Sequence, residues 1–390
     1  PLLRHPVWVD DTRFDPTFHI RAARVDAPGS SEQLKELAAR LLSKHLPRSR
    51  PLWEVHVIDG LSDGRFALLA KVHHCMVDGV GGMHSLEALL SPFPGASVPE
   101  RPDHRPRRCP DAPTLLRSEL RQRFAHAKSL VESRSLRGIG RQLSGIKDAA
   151  ITGLTSVGRS PFASKDASRY RRFEWARFDL GEVKRIRTAF GGTVNDVLVA
   201  ATTGAARRYL TRDGVDVTDV ECLRAVLPVH TGGARRRNVS GNRVAMLLAT
   251  LPLEPSSPRE RMNRVIEMTS RLKDESHQSE GMQLLEDIAD ATAGSILSEA
   301  MKVASQMEAF DLILTNIPGP QVPLYLLGAK LESVYPVVPL MPRQTLGIAL
   351  FSYDGGVFWG INADRGAFPD LPRFIEDLEA SYRALRRGFG

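Results

Sequence analysis

Seven prolines crowd the stretch between Ser91 and Pro113, with several arginines among them. Each proline fixes its own φ and removes a backbone donor, so neither a helix interior nor a central strand runs through such a segment. The chain is therefore cut in two. On both sides of the cut, apolar runs of strand length alternate with segments of helical period, which is the pattern of layered α/β structure. A length of 390 residues agrees, since it exceeds what one core usually serves. We read three regions: an N-terminal α/β half over 1–100, a Pro-rich and basic helical linker over 101–170, and a C-terminal α/β half over 171–390.

In the first region, residues 6–27 read as extended. Leu34, Leu37, Leu41 and Leu42 then recur at helical spacing from Ser31, a candidate N-cap, to His45, with Pro47 ending the helix. Trp53–Ile58 reads as a strand. After the turn residues Asp59-Gly60 and Asp63-Gly64, Phe66–Val72 is nearly continuous apolar, as in a strand buried on both faces. A further helix carries Met83, Leu86, Leu89 and Leu90. Residues 114–150 combine a helical apolar pattern with Arg117, Arg121, Lys128 and other cations, which suits either a solvated connecting helix or one lying on an anionic membrane. In the last region strands are expected at Phe173–Phe178, Leu223–Val229, Val244–Leu251, Asp311–Thr315, Leu331–Val337, Leu346–Tyr353 and Val357–Ile361. Helices are expected at Glu182–Ala189, Thr193–Leu210, through much of 258–308 and at Asp370–Arg386. Ser257-Pro258-Arg259-Glu260 is a helix-start signature.

The formal charge of +8 attracts polyanions by long-range steering. Nucleic acid is not the expected partner: aromatic residues make up only 6%, and no nucleic-acid motif is present. Cys75, Cys109 and Cys222 are widely spaced and form neither a CxxC pair nor a metal pattern, which fits a reducing, cytoplasmic setting. No apolar run reaches the length of a membrane span.

The sharpest chemical feature is His73-His74-Cys75-Met76-Val77-Asp78-Gly79 at the end of the Phe66–Val72 run. A strand end is a fixed place, and an imidazole there titrates near neutrality and can take a proton from a hydroxyl. Asp78 can fix the local turn, and Gly79 permits a tight bend. A histidine pair alone also fits a loop without a role. A metal set of His74, Asp78 and His84 is conceivable, but no HExxH helix frames it. A Cys75–His74 nucleophile pair is awkward, because neighbours on extended chain point to opposite faces. Neither a GxSxG elbow, a P-loop nor a GxGxxG turn occurs, so a covalent acyl-enzyme is not suggested and no resident cofactor or metal is expected.

HHCMVDG resembles the HHxxxDG signature of CoA-dependent acyltransferases. The chain is similar, more narrowly, to the bacterial wax ester synthase/acyl-CoA:diacylglycerol acyltransferase family of the mycobacterial triacylglycerol synthase kind. Pro51-Leu52-Trp53-Glu54 resembles that family's PLW motif, Val194-Asn195-Asp196-Val197 its ND motif, and Asn316-Ile317-Pro318-Gly319-Pro320 its NxPGP segment. The resemblance implies two chloramphenicol-acetyltransferase-like domains, each a mixed sheet flanked by helices, with the active site at their interface. It implies His74 as the general base, His73 as its support and Asp78 as a structural residue of the loop. Gly79, Asn195, Asp196 and Asn316 would bind substrate or shape the site. Asn195 and Asp196 are equally at home in the first turn of a helix. Asn316 is equally a turn residue, and Trp53 a core residue. The implied substrates are long-chain acyl-CoA, as co-substrate, and diacylglycerol or a long-chain alcohol. The products are triacylglycerol or a wax ester, and the implied place is the inner membrane face or a lipid droplet. Family members also carry a strand and a helix before the position equivalent to Pro1. A lipid-binding relative without catalysis is the alternative of a different class.

Overall fold

The computed structural model describes residues 9–73, 75–76, 89–97, 105–118, 120, 121, 124, 162, 168–218, 220, 222–230, 244–278, 310–341 and 344–388. The chain divides into two compact units. One comprises Pro1–Phe14, Pro102–Val157 and Glu275–Ala309. In it, Arg107 donates its backbone N–H to Asp10 at 2.7 Å, and residues 112–118 are helical. The other comprises Asp15–Arg101, Gly158–Asp274 and Phe310–Gly390, and holds both large sheets.

The first sheet has the order β1-β2-β3, with β1 (Ile20–Arg24), β2 (Trp53–Asp59) and β3 (Ala67–Val72). β1 runs parallel to β2, and β3 antiparallel to it, with Trp53 opposite Val72. Helix α1 (Ser31–Leu42) covers one face. Its start is a capping box one residue earlier than the sequence suggests: the Ser30 hydroxyl accepts from the Gln33 N–H, and the Gln33 side chain accepts from the Ser30 N–H. Leu34, Leu37 and Leu41 pack on Val25, Ile58 and Leu69. The remaining apolar side of α1 does something else. Ala38, Ala39 and Leu42 pack on Phe173 of the second sheet. One helix thus closes two cores.

The second sheet has six strands in the order β4-β11-β10-β7-β5-β6. These are β4 (Arg171–Asp179), β5 (Arg224–His230), β6 (Val244–Thr250), β7 (Leu312–Pro318), β10 (Leu346–Tyr353) and β11 (Gly356–Asp364). β5, β7 and β10 are mutually parallel, while β4 and β10 flank β11 antiparallel. One face of the sheet carries α2 (Leu180–Phe190), α3 (Val194–Arg212), α4 (Pro258–Gln278) and α5 (Leu371–Arg387). Trp359, Ile361, Leu346, Ile348 and Leu350 are sealed beneath them. The other face carries Phe351, Tyr353 and Phe358 against Leu324, Leu331 and Tyr335. A hairpin of β8 (Tyr325–Leu326) and β9 (Ala329–Lys330) adds a bridge from Tyr325 to Ser91.

The mixed α/β class is as expected, with sheets flanked by helices. Two element readings are corrected. Phe66–Val72 is not buried on both faces: β3 has one partner in the described sheet, its burial alternates, and Phe66, Leu68 and Val72 are exposed. Residues 331–337 form no strand. They run as irregular chain across β11, where Pro336 sits so close to Gly360 that a Cβ there would stand 1.7 Å from the Pro336 carbonyl oxygen. All of the expected helix after Gly79 except its end at Leu89 and Leu90, and most of the helical residues expected over 114–150 and 279–308, lie outside the described residues.

Candidate active site

β3 ends where chemistry was expected. The His73 N–H donates to the Leu52 carbonyl at 2.9 Å, which prolongs the β2–β3 pairing by one residue. The Met76 N–H then donates to the His73 carbonyl at 2.9 Å, and the Cys75 N–H donates to Nδ1 of His73 at 3.2 Å. An Nδ1 that accepts a backbone hydrogen bond leaves the neutral ring's proton on Nε2. The His73 ring therefore braces the first turn after the strand. His74, Asp78, Gly79 and the metal alternative's His84 lie outside the described residues. Among the described residues, no group of three or more histidine, cysteine, aspartate or glutamate side chains is placed to hold a metal ion.

The Pro51–Glu54 segment supports this strand end. The Trp53 ring stacks on His19, with centroids 4.5 Å apart. His19 is buried, and its Nδ1 lies 2.7 Å from the Trp53 carbonyl oxygen. Glu54 is also buried. Burial pushes its carboxyl up, but the Lys71 ammonium at 2.7 Å, together with the neighbouring His56 ring, outweighs that and holds the pKa below the usual carboxylate range. Lys71 further donates to the carbonyls of Leu41 at 3.0 Å and Lys44 at 2.6 Å, the C-terminal end of α1. One ammonium thus joins two strands and caps a helix, where the backbone dipole favours a cation. Neither Glu54 nor Lys71 is marked in the sequence as part of such a tie. The available signal was a lysine inside an apolar strand run.

The other predicted residues lie on the second sheet and its helices. Thr193 is the N-cap of α3, and Asp196 completes a capping box with it. One Asp196 oxygen accepts from the Thr193 N–H at 2.7 Å, and the other from the Thr269 hydroxyl of α4 at 2.8 Å. Asp196 is 2% exposed, so both oxygens are committed to holding α3 and α4 in place. Asn195 beside it is half-buried, and its side chain makes no hydrogen bond among the described residues. Asn316 lies on β7 opposite Leu350, on the strand side of Leu312 and Leu314. Beyond it, the Gly319 N–H donates to the Ser352 carbonyl at 2.9 Å. A Cβ at Gly319 would come within 2.4 Å of the Phe351 ring, so only glycine fits this turn.

The motifs thus sit at the ends of structured elements rather than in featureless loops. Residues 2–198 match the family model described as the wax ester synthase/diacylglycerol acyltransferase catalytic domain, and residues 240–386 match that of the WS/DGAT C-terminal domain. The chain is 31% identical to a Mycobacterium tuberculosis H37Rv protein described as probable diacylglycerol O-acyltransferase tgs1, over 98% of this chain and 82% of that one. It is 30% identical to tgs2 of the same organism, similarly described, over 98% and 84%. Among solved structures it resembles the wax ester synthase/diacylglycerol acyltransferase of Marinobacter aquaeolei VT8. That match has a TM-score of 0.69 and 27% identity, covering 100% of this chain and 86% of the other. The protein is an acyltransferase. It belongs to the wax ester synthase/diacylglycerol acyltransferase family.

Proposed function

We propose that the protein moves a long acyl chain from acyl-CoA to the free hydroxyl of diacylglycerol, forming triacylglycerol. The observation that carries this reading is HHCMVDG at the end of β3 in a chain of this family. The mycobacterial relatives described as diacylglycerol O-acyltransferases favour diacylglycerol as the acceptor. A long-chain alcohol, giving a wax ester, is the second acceptor, favoured by the description of the Marinobacter enzyme.

In this reading His74 is the general base. It takes the proton of the acceptor hydroxyl as the oxygen attacks the thioester carbonyl. The carbon–sulfur bond then breaks, and the proton passes to the departing CoA thiolate. No acyl-enzyme forms, and no metal or resident cofactor takes part. His73, braced by the Cys75 N–H, positions its neighbour. Asp78 and Gly79 shape the loop. Asp196 acts by holding α3 against α4, which presents Asn195 at a helix start. Asn316 shapes the site from β7. No helix among the described residues is long and apolar enough to cross a membrane. We assign the protein a peripheral place on the inner membrane face or on lipid droplets, where both lipid substrates reside.

The test is thiol release from oleoyl-CoA with diacylglycerol, with a long-chain alcohol and with no acceptor, for the natural sequence and His74→Ala. Acceptor-dependent release that falls at least about a hundredfold in a folded His74→Ala variant is expected, the lower range for losing a general base. Undiminished release in that variant overturns the base assignment. Absence of release with either acceptor leaves the non-catalytic lipid-binding relative as the reading.

A further inference from the structure

A cleft of about 840 Å³ opens between the C-terminal half of α1 and the start of β4. Its lining includes seven lysines and arginines against three glutamates. The pairing within the lining shows which cations stay exposed to a ligand. Lys35 lies 2.8 Å from Glu32 and 2.7 Å from Glu174, so it accounts for two of the three acids. Arg171 lies 3.5 Å from Asp364. Arg172 donates to the Pro369 carbonyl, at 2.5 Å. Arg40, Lys44, Arg169, Arg172 and Arg365 make no salt bridge among the described residues, and the acids that face them are the exposed Glu36 and, toward Arg172, the Glu174 that already holds Lys35. Cations from three separate segments therefore converge on one concavity and outnumber its carboxylates.

A second observation removes the usual objection. The C-terminus of a helix repels anions, because its last carbonyls point outward. Here several carbonyls at that end are occupied. Lys71 takes the oxygens of Leu41 and Lys44, the Ser43 hydroxyl donates to Ala39 at 2.7 Å, and the same hydroxyl accepts from the Arg171 N–H at 3.0 Å. The end of α1 is thereby neutralised from behind, and the cleft in front keeps its positive field.

We propose that this cleft is a binding site for a phosphate-bearing ligand. Guanidinium groups suit phosphate oxygens through paired N–H donors, and several unmatched cations suit two or more phosphate charges better than one carboxylate. Phosphate chemistry reaches the protein from two sources, a soluble phosphoester such as a nucleotide moiety or the headgroup of an anionic lipid. The site stands on the cleft itself and is independent of the acceptor and base assignments above.

The experiment is calorimetric titration of the full chain with inorganic pyrophosphate and with adenosine 3′,5′-bisphosphate at low salt. The cleft variant is Arg40→Glu/Lys44→Glu/Arg365→Glu. Its control carries Lys184→Glu/Arg185→Glu/Arg187→Glu on the exposed side of α2, so the net charge change is equal. Both sets are surface positions, and circular dichroism checks the fold. At least a tenfold loss of pyrophosphate affinity in the cleft variant, with less than a twofold loss in the control, is expected. Equal losses in both, or no measurable binding by the natural sequence, overturn the proposal. Sedimentation with phosphatidate vesicles, against phosphatidylcholine vesicles, then separates the sources. Vesicle binding that pyrophosphate displaces and the cleft variant loses supports the lipid headgroup. Pyrophosphate and bisphosphate binding without such vesicle binding supports the soluble phosphoester.

Discussion

β3 and β11 are alike on paper: both are short, apolar, and interrupted by few polar residues. In the structure they differ at almost every position. β11 is buried at all of its residues, because β4 and β10 flank it and packed layers cover both of its faces. β3 alternates, because α1 covers one face only and the sheet of described strands ends beside it. On its open side Leu68 is 45% exposed, and across the sheet Ile20 and Val57 are exposed too. Hydrophobic content thus records that a strand is wanted in a core, while the number of neighbours decides how much of it gets there.

This contrast is sharpest in the large core. Trp359 is fully buried on β11 and meets Phe178 edge to face at 5.3 Å. Trp359→Ala is expected to cost about 3–5 kcal/mol in chemical denaturation. A loss near the surface range would mean that the β11 layer is not the stabilising centre. A pH measurement probes the same core. Tyr209 packs among Phe162, Phe368 and Phe374, and burial raises its hydroxyl pKa from 10.0 to about 12. The unfolded chain loses this proton first, so the stabilisation is complete below pH 10 and fades as pH rises toward 12. Tyr209→Phe should flatten that alkaline decline by on the order of 2 kcal/mol; an unchanged slope would refute the burial effect. Gly360→Ala pushes a methyl into the Pro336 carbonyl and is expected to cost about 1–3 kcal/mol by urea midpoint, the price of overpacking. At the other extreme, Leu68→Ala on the open face of β3 should shift stability by no more than about 0.5 kcal/mol. A larger loss would show that this face is covered in solution.

How legible all this was in the sequence follows the same logic. Local rules carried far: Ser257 and Glu260 exchange the hydrogen bonds of a capping box, and the strands around Leu346–Tyr353 and Val357–Ile361 lie where apolar runs of strand length placed them. The motif residues stood out because glycine, histidine and proline punctuate otherwise regular segments. What could not be read depends on partners distant in sequence. Nothing local says that Phe66–Val72 has one neighbour rather than two among the described strands, or that Leu331–Val337 meets β11 across a glycine rather than pairing as a strand. The tie between Lys71, Glu54 and the end of α1 joins three segments, and each residue alone looks ordinary.

Helix α1 has a consequence for how the molecule comes apart. Because Leu41 seals the smaller core and Ala38 and Ala39 seal against Phe173, the helix cannot leave one sheet without exposing the other. The two sheets are therefore expected to melt as a single cooperative event, and amide hydrogen exchange along α1 should open with the same free energy as the strands on either side.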